Sequence, residues 1–419
     1  MRLCDKFYKI GQLKPFLIMF FIFFLSCKAA NKEYKPLFKC SRTLHEAYGV
    51  CTHINRIGSL FEYTSRDSDL VLIKSTGATW VRTDFDWSYC QPNLSGAFHF
   101  VHHDSMMTSV DIRELNMLGI LGHTVTSKNS AEFEEYVRRC VSHYKDQVKY
   151  WEAVNEPDLI PNRQKGYTPI NYLGEIKIIY NIVKNISRNS KVLFGGVANA
   201  QSPFVKQMIE SGAANYCDIM NLHWYANKEI EPEEIIAYFE GFHELMVNNG
   251  INKQLWLTET GSSSYEGWVT EETQSMRLPR LFLISFAMGV DKVFYYKSRS
   301  NEVVANGSEG CFGLWHKNYT PKPAYYACLA LTEMCPNKST RPKLERNGKV
   351  YISSWKKPNG KRVWALWTSK AEELIELDIK GKYGIYDLKG NEIHKDGCVF
   401  KITPSITYIV GAKNVNIVN

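Results

Sequence analysis

Two glutamates stand where a pair of carboxyl groups could do chemistry. Glu156 lies in Trp-Glu-Ala-Val-Asn-Glu-Pro-Asp and Glu259 in Leu-Trp-Leu-Thr-Glu-Thr-Gly, each closing a short β-rich run. Two carboxyls that face each other across a cleft can break a glycosidic bond. One gives a proton to the leaving oxygen, and the other attacks the anomeric carbon or activates water. One glutamate alone would more simply be a salt-bridge partner of a neighbour such as Arg82. Both together, at the ends of two different runs, point to catalysis. Other runs also end in polar or aromatic groups: His53; Arg82, Asp84, Asp86 and Trp87; His123; Asn155; His223, Trp224 and Tyr225; Tyr296 and Lys297.

These side chains converge only if the runs are strands that share one end. Eight such runs can be counted, at 48–53, 80–84, 119–124, 148–155, 192–197, 217–223, 254–259 and 292–297. Apolar residues at helical spacing mark 131–144, 172–186 and 232–247 as helices between them, and Pro323 suits the first turn of another. Eight β-then-α units predict an α/β protein with a (β/α)8 TIM barrel over 46–336, whose chemistry gathers at the C-terminal ends of the strands. Glu156 then ends the fourth strand and Glu259 the seventh. An open doubly wound sheet is the alternative, but no G-x-G-x-x-G follows the first strand. Beyond Thr340 the pattern changes to short alternating runs split by turns such as Pro358-Asn359-Gly360. This predicts an antiparallel β-sandwich domain over 340–419. Residues 28–45 read as an N-terminal arm.

The first 27 residues read as an export signal. Lys6, Lys9 and Lys14 precede the apolar run PFLIMFFIFFLS, too short for a comfortable membrane span. Leu25-Ser26-Cys27 resembles a bacterial lipoprotein cleavage box. Lipidated Cys27 would anchor the enzyme to a membrane, in the periplasm or on the surface of a Gram-negative cell; a plain signal peptide is the alternative. The net charge of +8 is partly carried by this segment and forms no basic block elsewhere, so nucleic-acid binding is not indicated. Of the 11 cysteines, setting aside Cys4 and Cys27 leaves an odd, scattered set. Mostly buried free thiols, or one or two isolated disulfides, are expected, with no metal site and no cofactor. The 24 tyrosines and 10 tryptophans suit either sugar stacking or a large core.

Asn155-Glu156-Pro157 on the fourth strand and Glu259 on the seventh resemble clan A of the glycoside hydrolases. Segments 82–87, 151–158 and 255–261 are most similar to family 39 and its near relatives, and the terminal sandwich resembles that family's accessory domain. The resemblance implies a retaining β-glycosidase acting on a polysaccharide or oligosaccharide by double displacement. It makes Glu156 the acid/base and Glu259 the nucleophile. It places Asn155 on the sugar 2-hydroxyl, Tyr225 on the nucleophile, Arg82 beneath it, and His123 on the sugar. His223 shares the strand end of Tyr225, as a site residue or a core histidine. Trp87, Tyr296 and Trp315 are further expected at the substrate, while Glu302 and Glu309 are expected to be solvated. Where many clan members carry a tryptophan on strand eight, this chain has Tyr296 and Lys297. Two other readings are a non-catalytic glycan-binding surface lipoprotein, which would need neither glutamate, and a metal-dependent barrel hydrolase, which would want an H-x-H on strand one.

Overall fold

The computed structural model describes residues 31–56, 63–93, 96–122, 130–162, 164, 166–301 and 308–418. The export signal with Cys27, and also His123 and Glu302, fall outside the described residues. Eight parallel strands close a barrel in chain order: β2 (Tyr48–Cys51), β3 (Trp80–Asp84), β4 (Asn116–Leu121), β5 (Tyr150–Ala153), β6 (Lys191–Leu193), β7 (Ile219–Ala226), β8 (Gln254–Ser262) and β9 (Lys292–Tyr295). β2 pairs with β9 to complete the ring. The expected (β/α)8 barrel is therefore what the chain forms. Around it run α1 (Tyr63–Ser75), α2 (Trp87–Cys90), α3 (Val101–Ile112), α4 (Ser130–Tyr144), α5 (Pro169–Ile186), α6 (Pro203–Glu210), α7 (Ile235–Asn248), α8 (Glu271–Ala287) and α9 (Pro323–Met334). None of the described helices is long and apolar enough to cross a membrane.

Local rules account for the best-formed helices. On α4 the apolar residues Phe133, Tyr136, Val137, Cys140, Val141 and Tyr144 make one buried face, while Arg138 and Arg139 pair with glutamates four residues back. α5 opens on a capping box, with Thr168 bonded to Asn171 in both directions and Pro169 at its first position. α8 is buried almost all round and carries Pro279 inside, so no polar face betrays it in the sequence.

The sandwich pairs a six-stranded antiparallel sheet with a three-stranded one. The larger has the order β1 (Lys32–Tyr34), β10 (Lys343–Asn347), β11 (Val350–Lys356), β12 (Arg362–Thr368), β16 (Thr407–Val410) and β14 (Gly384–Tyr386). The smaller has β15 (Val399–Ile402), β13 (Glu373–Lys380) and β17 (Asn414–Val418). The N-terminal arm thus supplies an edge strand to the sandwich, with Tyr34 opposite Leu344. β12 alternates as a two-faced strand should: Val363, Ala365 and Trp367 join the barrel core, while Leu366 packs with Leu377 and Phe400 between the two sheets. Polar contacts seal the seam. Trp367 Nε1 donates to Glu233 Oε1 at 2.7 Å, and Arg280 donates to both oxygens of Glu233 at 2.9 and 2.6 Å.

Candidate active site

The site is built on a buried arginine. Arg82 points inward from β3 with 3% of its surface exposed. Its Nε and Nη2 donate to the two oxygens of Glu152 on β5, both at 2.7 Å. Nη1 reaches Glu259 Oε1 on β8 at 2.5 Å, and Nη2 reaches Asn155 Oδ1 at 2.7 Å. One planar fork thereby orients both the glutamate of the seventh barrel strand and the asparagine before Glu156. Burial works to lower the Arg82 pKa, but Glu152 and Glu259 outweigh it and hold the guanidinium well above its usual value. Burial likewise works to raise Glu259, yet the charges of His223 and Arg82 and the Tyr225 hydroxyl bring its carboxyl below the ordinary range. Tyr225 OH donates to Glu259 Oε2 from the neighbouring strand.

Glu156 sits just beyond β5 in a turn that holds two residues in the left-handed region, Val154 at φ 69° and Glu156 at φ 46°. For a β-branched valine that conformation is strained, on the order of 1–3 kcal/mol. The turn is pinned by the Glu156 N–H, which donates to Gly196 O at 3.0 Å. His223 on β7 joins the two glutamates. Its Nδ1 lies 3.1 Å from Glu156 Oε1 and 3.6 Å from Glu259 Oε2. On its other side Nε2 lies 3.1 Å from Thr258 Oγ1, which spends its own proton on Asn221 Oδ1 and so accepts from the ring. Burial works to lower the His223 pKa, but Glu259 and the Glu156 bond overcome it and raise the ring above its usual value. The fit is close: a Cβ on Gly196 would stand 2.1 Å from His223 Nε2. That position needs glycine because a ring passes over it.

Above these groups opens a cleft of about 520 Å³, with Glu156, Glu259, Asn155, Arg82, Tyr225 and Tyr296 in its lining. Tyr225 packs edge-on against Tyr296 and Phe312, with ring centres 5.9 and 5.2 Å apart. Tyr296 OH donates to Glu309 and lies 3.2 Å from His53 Nε2. Asp84, 4% exposed, closes another side. One oxygen of Glu156, one of Glu259 and a ring nitrogen of His223 all lie within 4.8 Å of one another. Three such donors are a possible metal set, but the 2.5 Å contact of Arg82 already gives Glu259 a cationic partner that would repel a metal ion.

Most of the residues expected at the site meet there: Glu156, Glu259, Asn155, Arg82, His223, Tyr225 and Tyr296. Two do not, and one is placed differently. Trp87 is 2% exposed, stacks on Tyr136 and donates its indole N–H to Gln91 at 2.9 Å. Trp315 is fully buried and donates to Asp69 at 3.0 Å. Both fill the layer between barrel and helices rather than line the cleft. Glu309 is exposed but is not merely solvated, since it accepts a hydrogen bond from Tyr296 at the cleft wall. Lys297 does not replace the missing tryptophan; it is 2% exposed, with its ammonium 5.4 Å from the Tyr296 ring centre. Sequence reasoning passed over Glu152 and Phe312. A charged residue in the middle of an apolar strand, as in Trp-Glu-Ala, was the signal for Glu152.

Comparison with known proteins agrees with this geometry. No curated protein matches the sequence. Among solved structures, a family 39 glycoside hydrolase from the gut symbiont Bacteroides cellulosilyticus superposes with a TM-score of 0.71 at 19% identity, over 88% of this chain and 81% of that one. A glucosidase from Croceicoccus marinus gives 0.66 at 12% identity, over 93% and 99%. A family 39 β-xylosidase from Caulobacter crescentus gives 0.62 at 12%, over 90% and 99%. These likenesses establish the shared barrel-and-sandwich fold. The profile of the glycosyl hydrolase catalytic core matches residues 75–308, more than half of the chain. The chain belongs to the glycosyl hydrolase catalytic core family.

Proposed function

We propose that the protein is a clan A glycosidase that cleaves β-glycosidic bonds with retention, Glu259 acting as nucleophile and Glu156 as acid/base. The observation that carries this is that a Glu156 oxygen and a Glu259 oxygen lie within 4.8 Å of each other, while Arg82 and Tyr225 bond to Glu259 and not to Glu156. The spacing supports direct attack, because inverting enzymes hold their carboxyls about 6.5–9.5 Å apart to admit a water. The asymmetry of the partners supports the division of roles. Glu259 keeps its charge and can attack the anomeric carbon. Glu156 gives its proton to the leaving oxygen. The glycosyl ester then removes the negative charge of Glu259, so Glu156 can ionise and take a proton from the attacking water. Asn155, oriented by Arg82, is placed to bond the 2-hydroxyl. His123 belongs to this proposal as a sugar ligand.

Aryl β-xylosides and β-glucosides are the first substrates to try, since two of the similar structures are a β-xylosidase and a glucosidase. The test uses azide. Glu259→Ala should lose turnover, and azide should restore some of it as a glycosyl azide of inverted configuration. Glu156→Ala should spare the first step on good leaving groups, and azide should give a retained product. Opposite stereochemistries would exchange the two roles, and unimpaired variants would refute the mechanism.

We further propose that the chain is exported and lipid-anchored at Cys27, on the strength of the basic and apolar segment that ends in Leu-Ser-Cys. Labelling with a fatty-acid analogue should mark the wild type and spare Cys27→Ala; label that survives the substitution would refute the anchor.

A further inference from the structure

The loop that follows β8 carries a feature that the reaction at Glu259 does not use. Trp268 N–H donates to Tyr265 O at 3.0 Å and closes a tight turn, with Gly267 between them at φ 75°. Lys228, on the loop after β7, donates to Gly267 O at 3.3 Å and ties the turn to its neighbour. Val269 is buried and Thr270 caps α8, so both ends of the turn are anchored. The turn presents two parallel rings, Tyr265 and Trp268, with centres 5.7 Å apart and planes 6° from parallel. All ten tryptophans of the chain lie among the described residues, and Trp268 is the most exposed of them, at 37%, with Trp224 and Trp364 partly exposed.

Its place matters as much as its exposure. Ser264 N–H, one residue before Tyr265, donates to Cys311 O at 3.2 Å, and the next residue, Phe312, walls the cleft. The turn that carries the two rings therefore stands at the same end of the barrel as Glu259, and neither ring belongs to the cleft lining. An indole costs free energy when it faces water. A rigid turn that keeps one there, backed by a second ring, is a preorganised flat apolar surface. It matches the C–H face of a pyranose and loses little freedom on binding.

We propose that Tyr265 and Trp268 form a stacking platform for a sugar unit beyond those held in the cleft, so that the preferred substrate is a β-linked oligosaccharide or polysaccharide rather than a single glycoside. This rests on the glycosidase reading above. The platform adds binding energy only for chains long enough to reach it.

The test compares Trp268→Ala with the wild type on two probes of the same sugar, an aryl β-glycoside and a β-1,4-linked hexasaccharide. Trp268→Ala should lower kcat/KM on the hexasaccharide by about tenfold, the equivalent of about 1.4 kcal/mol, and leave the aryl glycoside unchanged. Trp268→Phe should recover part of the loss. Equal losses on both probes, no loss on either, or a wild type that cleaves only the aryl glycoside would overturn the platform. A change in oligomeric state with unaltered kinetics would also overturn it, and would assign the ring to a contact between copies. A wild type that cleaves no glycoside at all would overturn the glycosidase reading and the platform with it, whereas the preceding outcomes leave that reading standing.

Discussion

At the scale of single residues, Arg82 is the group on which the buried carboxylates Glu152 and Glu259 both depend. Arg82→Met would leave Glu152 and Glu259 buried without their cation. Breaking a buried pair in this way costs about 3–5 kcal/mol, so urea unfolding should show a loss of that size beside a loss of activity. A variant as stable as the wild type would contradict the network. Tyr225→Phe tests a subtler point. The hydroxyl favours the charged form of Glu259, together with His223 and Arg82, against the burial that opposes it. Removing it should let the carboxyl pKa rise, so the acid limb of kcat/KM should move to higher pH. A bond from a hydroxyl to a charged group contributes about 1.5–3 kcal/mol, which corresponds to roughly a ten- to hundredfold loss in rate. An acid limb that stays in place or moves down would show that Tyr225 does not tune Glu259.

At the scale of elements, the order and number of barrel strands were readable because each is a short apolar run closed by a polar residue. β3 matched its expected bounds, while β4 begins at Asn116, three residues before the expected start. α8 escaped because a helix buried on every side has no period to detect, β1 and β17 because short edge strands lack a sustained alternation, and the interior strand β10 because Lys-Leu-Glu-Arg-Asn holds a single apolar residue. Glu156 and Glu259 were legible from type and position together. Trp87 and Trp315 were misplaced because an aromatic side chain says nothing of which side of the barrel wall it faces. Glu152 depends on that same inward-or-outward choice, which strand register decides, whereas Phe312 lies outside any strand and reaches the cleft only through the path of the loop after β9. The seam between barrel and sandwich carries its own prediction. Glu233→Ala removes the acceptor of Trp367 and a partner of Arg280, which keeps Glu231 at 3.0 Å. We expect a loss of about 2–3 kcal/mol by calorimetry, with unchanged kcat on an aryl glycoside below the transition. Loss of activity without loss of stability would mean that the seam reaches the site.

At the scale of the whole molecule, the two ends of the barrel are set for different tasks. The C-terminal end holds the charged cleft. The opposite end is plugged by Lys292, 7% exposed, whose ammonium donates to His45 O and Glu46 O and lies 4.9 and 5.2 Å from the Trp80 and Trp256 ring centres. Burial pulls its pKa down to about 8. Between that value and the ordinary lysine value near 10.4, the unfolded chain binds a proton that the folded one has lost, so this residue makes stability rise with pH. The wild type should therefore gain on Lys292→Met as pH goes from 7 to 10 in thermal unfolding; a constant difference would place the lysine in solvent.

Glu259 is proposed to bond covalently to the sugar at the mouth of this barrel. This bond is tested most directly by incubating the enzyme with an activated 2-deoxy-2-fluoro β-glycoside, digesting it, and mapping the peptides by mass spectrometry. One fluoroglycosyl unit, on Glu259, is the expected result. An adduct on Glu156, or active enzyme that turns over substrate yet never acquires an adduct, would contradict it.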